Sequence, residues 1–281
     1  MTRIAAAFVA ACRDELEAPK PGNVHLFADG HRMTADDFMR SAEAAAEPIA
    51  APGTRVGQRI LRAVEATRAT VGQNTNLGII LLCAPLAAAA ERTTTGLRNA
   101  LDDILDGLDV EDARLAFRAI VLAAPAGLGS AAEHDVRAPA AVSLRTAMAA
   151  AADRDRIAYQ FSHRFSDIFD RGLPEYETAE RRWAEPKWAT LMVYLAFLVD
   201  SPDTHVARKF GAASAETLRR EAAGYRQRLQ STDAPDALLG ELMAWDAALK
   251  KRGINPGTSA DLTVATLFAR RLLLPDARNS G

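Results

Sequence analysis

An all-α fold is what this sequence predicts, and three observations predict it. Alanine dominates while β-branched residues are sparse. No stretch shows the period-two alternation of a half-buried strand. Apolar residues recur instead three and four positions apart, the spacing that gathers them on one helix face. A chain of 281 residues can bury a large core. Without repeats, low-complexity linkers or composition shifts, a single helical domain over residues 1–281 is expected.

In chain order, Ile4, Phe8, Cys12 and Leu16 define a first helix that Pro19, Pro21 and Gly22 end. A polar loop follows, holding Lys20, His25, Asp29, His31 and Arg32. Thr34 with Asp37 reads as a capping box opening a second helix, which Pro48 and Pro52-Gly53 close. The third runs from Thr54 through Val56, Ile60, Leu61 and Val64 into Val71. Gly72, Gln73, Asn74, Thr75 and Asn76 then precede an unbroken apolar run. Thr75 or Asn76 is expected to cap the helix that starts there, since side-chain oxygens satisfy a first turn's free N–H groups. That helix, Leu77 to Ala90, is nearly all apolar and belongs in the core.

After Thr93-Thr94-Thr95, Leu97, Leu101, Ile104 and Leu105 mark one helix, and Leu115, Ala119, Ile120 and Ala123 another. Pro125 and the following glycines open a polar loop with Glu133, His134 and Asp135, expected as a solvated loop or a cleft rim. Helical patterns resume through Leu144 and Met148, and through Ile157, Phe161 and Phe165, until Gly172-Leu-Pro174 breaks them. Pro186 starts or kinks the apolar helix Leu191 to Val199, which ends at Asp200 to His205. Trp183 and Trp188 flank that proline, expected to pack, with stacking on a base as the other reading. Amphipathic helices cover about Ala215 to Leu229 and Asp236 to Lys251, and Asn255 to Leu262 leads into a buried helix, Thr263 to Leu274.

Composition excludes several functions. A net charge of −2 and a pI near 6.2 leave no basic footprint for nucleic acid. Charges are interspersed, so no polybasic membrane patch forms. Cys12 and Cys83 fall inside apolar helical patterns, as buried thiols in a reducing compartment do. No signal-peptide pattern is present, and no apolar run nears the ~18 residues of a membrane span. A cytoplasmic protein without membrane or nucleic-acid partners is expected, compatible with a homodimer.

Three junctions share one design, a small polar cluster at the end of an apolar helix: Gly72 to Gly78, Asp200 to Arg208, and Asn255 to Asp261. Such groups must be satisfied by each other or by a ligand. A helix start behind a glycine and small polar residues also suits an anion such as phosphate. Three of them beside a Lys-Pro-Gly loop predict a shared cleft.

These segments, in their order, resemble the triphosphoribosyl-dephospho-CoA synthase family, which makes the prosthetic-group precursor of citrate lyase and malonate decarboxylase. The family's K-P-G-x-V loop and G-x-H stretch correspond to Lys20-Pro21-Gly22-Asn23-Val24 and Asp29-Gly30-His31. Its T-x-G-x-N-T-H-K-G core aligns without a gap with Thr70 to Gly78. Its L-M-A helix ending in D-T with a downstream Arg corresponds to Leu191-Met192, Asp203-Thr204 and Arg208, and its final S-P-G-G-S-A-D-L to Asn255 to Leu262. The chain departs from the pattern where the family's His and Lys are Asn76 and Leu77. It departs again after His31, where Arg32-Met33-Thr34-Ala35 precede Asp36-Asp37.

The resemblance implies transfer of a triphosphoribosyl group from ATP to a hydroxyl of dephospho-CoA, with release of adenine. Breaking an N-glycosidic bond builds positive charge on the sugar carbon. Carboxylates can divide the labour of stabilising it and moving a proton. Asp200, Asp203 and Asp261 are the candidates for that role, each at a helix end beside small residues. Their other readings are local: a stop and cap for Asp200 or Asp203, a first-turn cap for Asp261. Mg²⁺ accompanying ATP would be held by Asp203 and Asp261 with the phosphates. Lys20, Arg208 and Arg32 would supply positive charge, and Asn74 and Thr75 would hydrogen-bond ribose or phosphate. Gly22, His31, Asn76, Thr204 and Ser259 complete the substrate-binding set that the motifs imply. Two alternatives remain: the same chemistry with another donor or acceptor, for a coenzyme such as a one-carbon carrier, or a non-catalytic helical partner.

Overall fold

Hydrophobic periodicity becomes helix along the whole chain. The computed structural model describes residues 1–31, 33–92, 96–125 and 128–274, so Arg32 and Thr93 to Thr95 lie outside the described residues. The first half holds α1 (Arg3–Glu17), α2 (Ala35–Ile49), α3 (Val56–Val71), α4 (Leu77–Ala90), α5 (Leu97–Asp106) and α6 (Val110–Ala123). Two short helices follow, α7 (Leu144–Ala149) and α8 (Arg156–Ser162), then α9 (Leu173–Trp183) and α10 (Pro186–Asp200). The last are α11 (Thr204–Phe210), α12 (Ala212–Gln230), α13 (Leu239–Lys251) and α14 (Gly257–Leu273). Among the described residues there is no strand, and pairing is limited to isolated bridges, His25 with Ala28 and Gly30 with Met33. The all-α expectation holds.

The core follows from which helices are apolar all round. Nearly all of α4 is buried, and so are most of α10 and α14. The last of these packs against α1, α4 and α10. Its buried Thr263 and Thr266 turn their hydroxyls back to the carbonyls of Ser259 and Leu262 at 2.8 and 2.9 Å, which satisfies them without leaving the helix. The Thr34–Asp37 capping box is present, and Pro186 starts α10. No described helix is long and apolar enough to cross a membrane.

Three boundaries differ from expectation. A π-helical turn, Asp167–Gly172, runs straight into α9 at Gly172-Leu-Pro174. Gly172 serves close packing there: a Cβ would meet Thr266 Oγ1 at 2.4 Å. Pro174, in the first turn, has no backbone bond to lose. The helix α11 was not legible, because its seven residues are too few to show a period. And α14 begins at Gly257, six residues before the expected Thr263, since its first turn is polar and tied to its neighbours.

Candidate functional site

A cavity of about 1100 Å³ opens where the three polar junctions meet. Gly72 to Gly78 line it from the start of α4, Thr204, His205 and Arg208 from α11, and Asn255, Gly257, Thr258 and Asp261 from α14. The wall opposite in chemistry is apolar, with Phe117, Ile120, Met148 and Ile157 from α6, α7 and α8. His134 and Asp135 stand at its rim; the Asp135 carboxylate accepts the amides of Ala131 and Arg137 at 2.8 and 2.9 Å.

The start of α4 is built differently from expectation. Asn76 holds the N-cap position, but its side chain makes no cap bond; Asn74 Oδ1 accepts the Leu77 amide instead, at 3.1 Å. The Thr75 hydroxyl donates to Ser41 Oγ at 2.6 Å, anchoring the junction to α2. Asn76 lines the cavity, is 5% exposed, and its Nδ2 has no hydrogen-bond partner. A buried amide without a partner forfeits a hydrogen bond's worth of solvation, so this donor is available to a ligand.

The three candidate aspartates have separate fates. Asp200 pairs with Arg171 at the surface and does not line the cavity. Asp203 is buried; its Oδ1 caps α11 through the Val206 amide at 3.0 Å, and its Oδ2 accepts the Ser259 amide and hydroxyl at 2.9 and 2.8 Å. Asp203 and Ser259 therefore clamp the start of α11 to that of α14. Asp261 is no first-turn cap, since α14 starts four residues earlier. Its carboxylate lies against Gly78, where a Cβ would come within 2.1 Å of Oδ2, so only glycine fits there. No described residue donates it a hydrogen bond or pairs with it, and it lines the cavity. Burial, followed by the nearby Glu15, Asp203 and Asp155 charges, pushes its pKa well above the carboxylate range.

Lys20 is wholly buried beneath the cavity rather than on its wall. Its ammonium pairs with Glu15 Oε1 at 2.7 Å and donates to the Val24 carbonyl at 2.7 Å and to Asn23 Oδ1 at 3.3 Å. Asn23 in turn donates to Asn255 Oδ1 at 2.8 Å, tying this loop to the start of α14. The Gly22 amide donates to Asp246 Oδ1 at 2.8 Å, and its carbonyl accepts His31 Nε2 at 2.8 Å, so Gly22 supports the ring of His31 at the cavity wall. Trp183 and Trp188 stand away from the cavity, Trp188 fully buried.

Positive charge also lines the cavity. Arg68, Arg154, Arg208 and Lys209 line the cavity, with Arg208 paired to Asp155 at 3.2 Å. The starts of α4 and α14 add their partial positive charge. His205, against Gly257, has its pKa lowered to about 4 by burial and then by Arg208, Lys209 and His31. Thr204 Oγ1 accepts the Arg156 amide at 3.2 Å and shares a 3.0 Å hydrogen bond with Thr258. Among the described residues no three metal-ligating side chains meet, and both oxygens of Asp203 are already occupied. An Asp203–Asp261 pair is thus not built as a metal site by itself.

Sequence reasoning passed over Glu15, which lines the cavity at 4% exposure. The signal was there: Phe8, Cys12 and Glu15 share one helix face, and a carboxylate on an apolar face needs a partner. His205, Arg68 and Lys209 carried no pattern beyond being polar.

The family model for ATP:dephospho-CoA triphosphoribosyl transferase (CitG) matches residues 1–280 of this chain. In fold, the chain is similar to a crystal structure from Archaeoglobus fulgidus, provisionally described as a triphosphoribosyl-dephospho-CoA synthase. The TM-score is 0.63 at 23% sequence identity, over 83% of this chain and 97% of that one. At that identity the likeness speaks for the fold.

Proposed function

The chain belongs to the ATP:dephospho-CoA triphosphoribosyl transferase family, and from that premise we propose how its cavity performs the transfer. The observation that supports the reading best is the convergence of three helix starts on one cavity, with the unpartnered carboxyl of Asp261 set against Gly78. The triphosphate lies toward Arg68, Arg208, Lys209 and the starts of α4 and α14, where cations and free amides suit an anion. The adenine or the acceptor's apolar arm lies along Phe117, Ile120, Met148 and Ile157. Asn76 Nδ2 donates to the bound substrate.

Asp261, protonated, gives its proton to a ring nitrogen of the departing adenine as the C1′–N9 bond breaks. The acceptor's hydroxyl oxygen bonds to C1′, and its proton restores the carboxyl. The net change moves one proton from the hydroxyl to adenine, and a carboxyl with raised pKa suits that exchange near neutral pH.

Mg²⁺ enters as the ATP complex, held by phosphate oxygens and water. Calorimetry of ATP binding with Mg²⁺ and with a chelator tests this: tighter binding with the metal is expected, and equal binding removes it from the proposal. The reaction is tested by adenine release from ATP with dephospho-CoA as acceptor, expected to depend on both. Asn76 and Leu77, where the family pattern has His and Lys, favour a second reading in which another hydroxyl compound is the acceptor. Adenine release with such a compound and none with dephospho-CoA would establish it.

A further inference from the structure

Glu15 sits in the last turns of α1 and lines the cavity, although no motif contains it. Only one of its oxygens is occupied, Oε1, 2.7 Å from Lys20 Nζ. No described residue donates a hydrogen bond to Oε2. Lys20 approaches from beneath, is 0% exposed, and spends its other two protons on Val24 O and Asn23 Oδ1. An ammonium donates at most three hydrogen bonds, so none of its protons remains for a phosphate. The loop that holds Lys20 is itself fixed: the Tyr194 hydroxyl donates to the Pro21 carbonyl at 2.7 Å, and Asn23 reaches Asn255 at 2.8 Å.

We propose that Glu15 is a catalytic carboxylate of the transfer, facing the positive charge that builds on the sugar carbon, and that Lys20 is its positioning residue. The inference rests on the transfer proposed above. Two carboxyls in one cavity divide the work when their surroundings push their titrations apart. Burial raises both. Lys20 opposes the rise at Glu15, while at Asp261 the Glu15 charge adds to it. The Lys20 ammonium, 2.7 Å away, favours the ionised form of Glu15, and the Glu15 charge favours the protonated form of Asp261. The pair supplies a fixed negative charge beside a proton carrier, which is what cleavage of a glycosidic bond requires. A Lys-Pro-Gly loop read as a phosphate holder becomes the support of a carboxylate.

The experiment compares Glu15→Gln, Lys20→Met and the double variant in adenine release from ATP, each beside a thermal melt. Glu15→Gln keeps the size of the side chain and its Oε1 acceptor but leaves the buried Lys20 ammonium without its counter-charge. It should therefore melt below wild type, and its turnover is measured per folded molecule below that melt. Its kcat should fall ~100-fold or more, as when a positioned electrostatic group is removed, with KM for ATP nearly unchanged. Lys20→Met should also lower kcat and leave KM, whereas a phosphate-holding Lys20 would raise KM. Because Lys20→Met strands a buried carboxylate and can unfold the chain, the double variant decides. It removes both charges, should melt near wild type, and should lose no more kcat than Glu15→Gln alone, since Lys20 acts through Glu15. Glu15→Gln with wild-type kcat, or a double variant with a raised KM, overturns the inference and leaves the transfer standing. A wild-type protein that releases no adenine with any hydroxyl acceptor overturns the transfer and the inference together.

Discussion

Asp203 and Asp261 stand at adjoining helix starts, and their surroundings are opposites. Asp203 accepts the Val206 amide, which caps α11, and the Ser259 amide and hydroxyl, which hold α11 to α14. Asp261 accepts nothing from the described residues and lies bare against Gly78. Both are carboxylates in family-like motifs, yet Asp203 is buried and spent on the framework, whereas Asp261 is only partly buried and opens onto the cavity. The difference teaches that a motif marks a place in the fold before it marks a role. A donor-saturated carboxylate has little left to offer a substrate.

The largest expected effect comes from removing the bare carboxylate. Asp261→Asn should lower kcat for adenine release by ~10²-fold or more. It should not destabilise the protein, because Asp261 caps nothing. A carboxyl whose native pKa is raised binds its proton more tightly folded than unfolded. Its stability contribution is therefore greatest below the ordinary carboxylate range and declines as pH rises toward the raised value. Asp261→Asn removes that decline, so its Tm should exceed wild type near neutral pH and meet it in acid.

Gly78→Ala sharpens the comparison from the other side of the contact. The new Cβ would sit 2.1 Å from Asp261 Oδ2 and 2.6 Å from its Cγ, so the carboxylate must move. A displacement near 1 Å costs up to ~10²-fold in rate. A loss of ~10-fold or more in kcat is expected, and a variant with normal turnover would deny Asp261 a fixed position.

Asp203→Ala should reverse the pattern. It strands two amides and a hydroxyl, and a loss of about 2–3 kcal/mol is expected from denaturant unfolding. At a temperature where the variant is still folded, turnover per folded molecule should remain close to wild type. A stable but inactive Asp203→Ala protein would collapse the contrast between the two residues.

The smallest effect lies at His205. Its native pKa, lowered from 6.5 to about 4, means the unfolded chain takes up a proton in acid that the folded chain refuses. The stability it contributes is present above 6.5 and is lost between there and about 4. His205→Asn should flatten that part of the Tm-against-pH curve. An unchanged slope would place the ring in water.

Much of the site was legible because its parts are local in sequence. The three polar junctions needed only a glycine or small polar residue before an apolar run to be seen, and all three line the cavity. Which side chain does what was not local. Asn76 stands at the N-cap of α4 but Asn74 supplies the side-chain acceptor, and Thr75 reaches across to Ser41, thirty-four residues away. Lys20 was read as a cleft cation and lies under the cleft, held by Glu15. Glu15 shares a helix face with Phe8 and Cys12, and only the fold shows that this face opens onto the cavity.

By itself the sequence determined the helices and their buried faces, because period and capping act over a few residues and need no distant partner. It also determined that several polar clusters end apolar helices, which obliges them to find partners. Tertiary structure alone decided which partners they found. Hydrogen-bond satisfaction and burial are properties of a three-dimensional neighbourhood, where Ser259 meets Asp203 and Gly78 meets Asp261 across long stretches of chain. That neighbourhood made Asp203 a clamp, left Asp261 open, and set Glu15 on the cavity wall with Lys20 beneath it.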